Sequence, residues 1–82
     1  MYNMLLWNRK EGDKMYKEVF PARMKKARYD TGFTQREVAE ETGISQSRLA
    51  KFETGKLEPD LETLGKIAEF YGKPADYFIG RA

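Results

Sequence analysis

The sequence predicts an all-α fold, a compact five-helix bundle behind a short N-terminal extension. Two observations carry this. Apolar residues recur at helical spacing in successive segments. Each segment also opens on a hydroxyl, an aspartate or a proline and closes on a glycine. The division expected is an extension over residues 1–18 and a helical domain over residues 19–80. The chain of 82 residues suits one small core; a domain of this size buries roughly 60% of its unfolded surface.

Helix one is expected from Phe20 or Pro21 to Tyr29. Pro21 suits a first helical position, where a missing N–H costs nothing. Phe20, Met24 and Ala27 share a face, and Gly32 follows as a stop. Helix two opens with the capping box Thr34-Gln35-Arg36-Glu37. Phe33 and Val38 flank it as a hydrophobic staple, Val38 and Ala39 supply the buried side, and Gly43 ends it. Helix three runs from the N-cap Ser45 to about Glu53. Gly55 and Lys56-Leu57-Glu58-Pro59 form a loop. Helix four follows the N-cap Asp60, with Leu61, Leu64, Ile67, Ala68 and Tyr71 as its apolar stripe. Gly72 stops it. A last short helix spans Pro74 to Ile79 and offers Phe78 and Ile79.

In the extension, Met4-Leu5-Leu6-Trp7 is a greasy cluster and Asn8 to Asp13 read as a turn. A hairpin with Lys14–Val19 has poor alternation. Three roles stay open: a dimer contact, packing on the chain's own domain, or a true start at Met15.

Composition narrows the function. The chain has no cysteine and no histidine, which removes disulfides, thiolate chemistry, imidazole catalysis and the usual zinc ligands. The carboxylates and lysines do not cluster as a catalytic site would, so no enzyme activity, metal or cofactor is expected. No apolar run nears the roughly 18 residues of a membrane span, and a cytoplasmic protein is expected. Residues 1–29 hold eight basic against three acidic side chains, a net +5, while the rest of the chain nets −3. A basic N-terminal third suits an anionic neighbour such as DNA.

Helix three has a distinctive polar face. With Leu49 at zero on a wheel of about 100° per residue, Leu49 and Phe52 point inward. Ser47, Ala50, Lys51 and Thr54 cluster opposite, and Gln46 and Arg48 flank them. That face is small, hydrogen-bonding and free of acid, whereas helix two carries Glu37, Glu40 and Glu41. Gln46 matches the donor–acceptor pair that adenine presents in the major groove, and Lys51 and Arg48 match guanine acceptors or phosphates. Two short helices around a glycine turn form a helix-turn-helix arrangement.

The runs Thr34-Gln35-Arg36-Glu37-Val38-Ala39, Thr42-Gly43-Ile44-Ser45 and Leu49-Ala50-Lys51-Phe52-Glu53-Thr54-Gly55-Lys56 resemble the lambdoid phage repressor and Cro family, the XRE-type helix-turn-helix. Pro59, Leu64, Ile67, Ala68, Gly72 and Asp76-Tyr77-Phe78 continue the match, which covers about residues 19–80. The resemblance implies a lambda repressor-like domain with helix three in the major groove of double-stranded DNA. It implies base reading by Gln46, Ser47 and Lys51, with Arg48 flanking. Backbone contacts fall to Gln35, Thr54 and Lys56, and Arg36 and Ser45 are grouped with them. It also implies a structural ion pair of Arg28 with Glu53. Ser47 and Ala50 are small, so direct readout rests on few side chains. Relatives imply a homodimeric repressor on a palindromic operator. The alternative is an antitoxin-type module that binds a protein partner through the N-terminal cluster and Tyr77-Phe78-Ile79, and also regulates its own operon.

Overall fold

The computed structural model describes residues 9–80, with side chains from Tyr16 onward. Five helices follow in order: α1 (Arg9–Thr31), α2 (Gln35–Thr42), α3 (Gln46–Thr54), α4 (Leu61–Tyr71) and α5 (Ala75–Phe78). The all-α fold expected from sequence is the fold observed. No helix among the described residues is long and apolar enough to cross a membrane.

Local chemistry sets most of the helix ends. Thr34 and Glu37 form the reciprocal capping box: Thr34 Oγ1 accepts from the Glu37 N–H at 3.1 Å, and the Thr34 N–H donates to Glu37 Oε1 at 2.8 Å. Ser45 Oγ accepts from the Arg48 N–H, and Asp60 Oδ1 from the Thr63 N–H. Pro74 takes the N-cap position of α5, which has no side-chain cap bond.

The core draws on every helix. Phe20, Met24 and Ala27 of α1 meet Val38 of α2, Leu49 and Phe52 of α3, Leu64, Ile67 and Ala68 of α4, and Phe78 of α5. Ile44, in the turn between α2 and α3, plugs the same core. The Phe20 ring stands edge-on to Phe52 at 6.0 Å and to Phe78 at 6.4 Å, arrangements favoured by the ring quadrupole. Phe33 rests on Phe70 at 5.4 Å and closes the α1–α2 loop over α4.

Three expectations are corrected. Helix one begins at Arg9 rather than Phe20 or Pro21, so the turn expected up to Asp13 is helix, and Lys14–Val19, whose alternation already argued against a hairpin, is helix too; the cluster Met4–Trp7 and Asn8 lie outside the described residues. Pro21 is therefore interior, and the Lys17 carbonyl lacks its helical donor there. Packing offsets that loss. Tyr16 lies one turn before Phe20 with ring centroids 5.7 Å apart, and Pro21 Cγ would sit 3.4 Å from a Cβ at Gly55. The face of helix one thus continues N-terminally through Tyr16, which is half-buried against the core.

Leu61 is the second correction. The apolar stripe expected for helix four includes it, yet it is 86% exposed. It has the right phase, but as the first residue of α4 it lies beyond the elements that cover Leu64, Ile67 and Ala68. Thirdly, Phe78 is fully buried and Tyr77 and Ile79 are half-buried. Of the Tyr77-Phe78-Ile79 segment expected to offer a partner contact in the alternative reading, Phe78 is thus enclosed and only its half-buried neighbours reach solvent; α5 is clamped to α1 by Arg23, whose Nη1 donates to the Tyr77 carbonyl and whose guanidinium lies over the Tyr77 ring.

Candidate nucleic-acid interface

The turn between α2 and α3 sets the geometry of the site. Gly43 has φ +78°, and a Cβ there would meet nothing within 4 Å. Its requirement is the left-handed backbone itself, not space. Its N–H closes on the Ala39 carbonyl at 2.9 Å, and Ile44 inserts into the core immediately after. Leu49, Phe52 and Glu53 are buried and hold α3 against α1 and α2. The opposite face is fixed in solvent by default.

On that face Gln46, Ser47, Lys51 and Thr54 are exposed, and Ala50 is partly so. The side chains of Gln46, Ser47 and Lys51 make no hydrogen bond or ion pair among the described residues. Thr54 Oγ1 donates to the Ala50 carbonyl at 3.0 Å, so its lone pairs face outward while its proton is used. Lys56 is exposed just past the helix. Ser45 spends its hydroxyl on the cap of α3. Arg36 is exposed on α2 beside Glu40, with a 3.9 Å charge contact, a spacing worth little in solvent.

Arg48 parts from the group. Its guanidinium lies 5.5 Å over the Phe52 ring, and Nη2 is 3.5 Å from Thr63 Oγ1. It leans toward the start of α4, away from the face shared by Ser47 and Lys51. The Asp60 carboxyl there is held below its usual range, chiefly by hydrogen bonds from Thr63, with Arg48 adding a smaller attraction.

Behind the face sits an ion pair. Arg28 Nε donates to Glu53 Oε2 at 2.7 Å and Nη2 to Oε1 at 3.0 Å, and Nη1 donates to the Phe33 carbonyl at 3.1 Å. Side-chain exposure is 14% for Arg28 and 3% for Glu53. The bond to Glu53 raises the Arg28 pKa against the opposing effect of burial. Gln35, the first residue of α2, joins the pair: its Nε2 donates to Glu53 Oε1 at 3.2 Å. Neither that bond nor the one to the Phe33 carbonyl is written in the spacing of the sequence. Residues 18 apart in the chain share no periodicity that would announce them.

The helix-turn-helix family model matches residues 24–78, which takes in the end of α1, both helices around Gly43, and α4 and α5. The chain is an XRE-type helix-turn-helix protein. It is similar to the SPbeta prophage-derived uncharacterized HTH-type transcriptional regulator YonR of Bacillus subtilis, 38% identical over 61 residues, or 74% of this chain and 56% of that protein. It is 37% identical to the HTH-type transcriptional regulator ImmR of the same organism, over 72% of this chain and 46% of the relative. The cryptic phage CTXphi transcriptional repressor RstR of Vibrio cholerae is 34% identical, over 68% and 50%. The chain spans about half the length of these relatives. No solved structure matches it significantly.

The helix-turn-helix pair carries its charges unevenly. The outward face of α3 has Lys51 and no acid. On α2, Glu37 is committed to the capping box, and Glu40 and Glu41 are exposed further along. The start of α2 is the end that presents backbone N–H groups and the favourable end of the helix dipole to an anion.

Proposed function

We propose that the chain is a DNA-binding transcriptional regulator, a dimeric repressor that places α3 in the major groove of a palindromic site. One observation carries the reading: a rigidly backed helix face offers Gln46, Ser47 and Lys51 to solvent with no acid among them. Gln46 and Lys51 have the donor and acceptor chemistry for base edges, and Ser47 and Ala50 let the helix approach closely. Gln35 and Arg36 at the start of α2, with Thr54 at the end of α3 and Lys56 just past it, contact the flanking phosphates. Arg48, leaning toward α4, serves the backbone side of the groove. Ser45 contributes as the cap that orients α3. The names of the relatives, two regulators and a repressor, favour the same activity. Two copies would read half-sites about one helical turn, roughly 34 Å, apart.

Selection of bound duplexes from random DNA tests this directly. A palindromic motif, bound with affinity that falls steeply as salt rises, is the expected result. Recovery of no enriched sequence, or binding indifferent to sequence, overturns it. With only Gln46 and Lys51 long enough to read bases, part of the preference should lie at positions the protein does not touch, through DNA shape.

A further inference from the structure

The buried ion pair behind α3 has a third member, Gln35, which is half-buried at the start of α2. We propose that Glu53 is a positioning residue for DNA contact, acting through Gln35; this rests on the DNA-binding reading above. Arg28 alone satisfies the geometry of a structural pair, since its two nitrogens engage both carboxylate oxygens. The bond from Gln35 Nε2 to Oε1 is additional and points at the start of α2. An ionised carboxylate only accepts, so the amide must turn its nitrogen, not its oxygen, toward Glu53. One Nε2 hydrogen is thereby committed inward and the amide plane is set.

That orientation leaves the second Nε2 hydrogen for an external acceptor. It sits at the first turn of α2, where the N–H groups of Gln35 and Arg36 have no intrahelical partner. The Thr34 hydroxyl serves Glu37 instead. A phosphate oxygen fits that set of donors. A solvated glutamine would have to be ordered when DNA binds, at a cost in rotamer freedom. Here the ordering is done in the folded chain beforehand. Arg28 completes the device by balancing the Glu53 charge, which would otherwise repel the phosphate. The same carboxylate thus couples α1, the last turn of α3 and the first residue of α2, setting the backbone contact in register with the reading helix.

The test is a double-mutant cycle on the full chain, with the duplex selected from random DNA as the probe at one fixed salt concentration. Gln35→Ala should weaken binding about tenfold, the value of one hydrogen bond to a charged group. Glu53→Gln should cost a similar factor in the native background and little in the Gln35→Ala background. Equal losses in both backgrounds overturn the proposal, because a purely structural Glu53 would act regardless of residue 35. If Glu53→Gln does not fold, solvent exchange of the Gln35 side-chain amide in the native chain decides. One protected Nε2 hydrogen is expected; exchange as fast as that of the exposed Gln46 amide overturns it. A native chain that selects no sequence defeats the DNA-binding reading itself, whereas selective binding with an additive cycle defeats the positioning role alone.

Discussion

Replacing Arg28 by methionine would leave the Glu53 carboxylate buried with Gln35 as its remaining partner. Removing one partner of a buried pair costs about 3–5 kcal/mol, because the other charge is stranded in low dielectric. Glu53 is 3% exposed, so water cannot readily replace the guanidinium. Gln35 still donates, which puts the expected loss near the lower end, about 3 kcal/mol. A domain of this length has about 4–12 kcal/mol in total, so the variant should lose much of its stability. At about 4–8 °C per kcal/mol for a small domain, the melting temperature should fall by about 12–24 °C. Thermal unfolding followed by circular dichroism reads this. The double variant Arg28→Met with Glu53→Met removes the stranded charge as well and should recover most of the loss, although the Phe33 carbonyl loses its donor in both. A single variant that melts within about 5 °C of native would refute the reasoning. So would a double variant that melts no higher than the single.

Three further outcomes follow from other parts of the molecule. Burial, reinforced by the nearby Glu53 charge, pushes the Tyr71 phenol up to about 12 from its ordinary 10, and its buried hydroxyl has no partner among the described residues. The folded state therefore holds that proton more tightly: the contribution is intact below pH 10 and is lost as pH rises from 10 toward 12. Urea titrations across that range should show Tyr71→Phe losing less stability than native, with no penalty at pH 7; parallel losses would refute this. Thr34→Ala removes the capping box and should cost about 0.5–2 kcal/mol in chemical denaturation; an unchanged midpoint would show that packing alone holds the start of α2. Lys51→Ala should reduce the slope of log affinity against log salt by about one if it meets a phosphate, and leave it unchanged if it reads a base. Gln46→Ala should alter the selected sequence rather than the slope, and an unaltered selection would remove it from the reading edge.

Several parts of the site were legible locally. Thr34 with Glu37, Ser45, Asp60 and the glycines at 43, 55 and 72 each act on backbone groups within a turn of themselves, so their effect is written in short spacings. The phase of Leu49 and Phe52 likewise decides which side of α3 faces water. Other features were not legible, for a common reason. Whether α1 starts at Arg9 or Phe20 depends on Tyr16 finding Phe20 and on Pro21 meeting Gly55, 34 residues away. Leu61 has the phase of a core residue but no neighbouring element to cover it, while Phe78, on a four-residue helix, is wholly enclosed.

The sequence by itself thus determined the helices around the turn, their caps and the acid-free face of α3, because hydrogen bonds within a turn and a 3.6-residue period are local quantities. Tertiary structure alone decided where Arg48 leans, that Gln35 shares the Glu53 carboxylate with Arg28, and that Phe78 is wholly enclosed while Tyr77 is half-buried beside it. Those outcomes depend on which side chains far apart in the chain meet, and on how much water each meeting excludes.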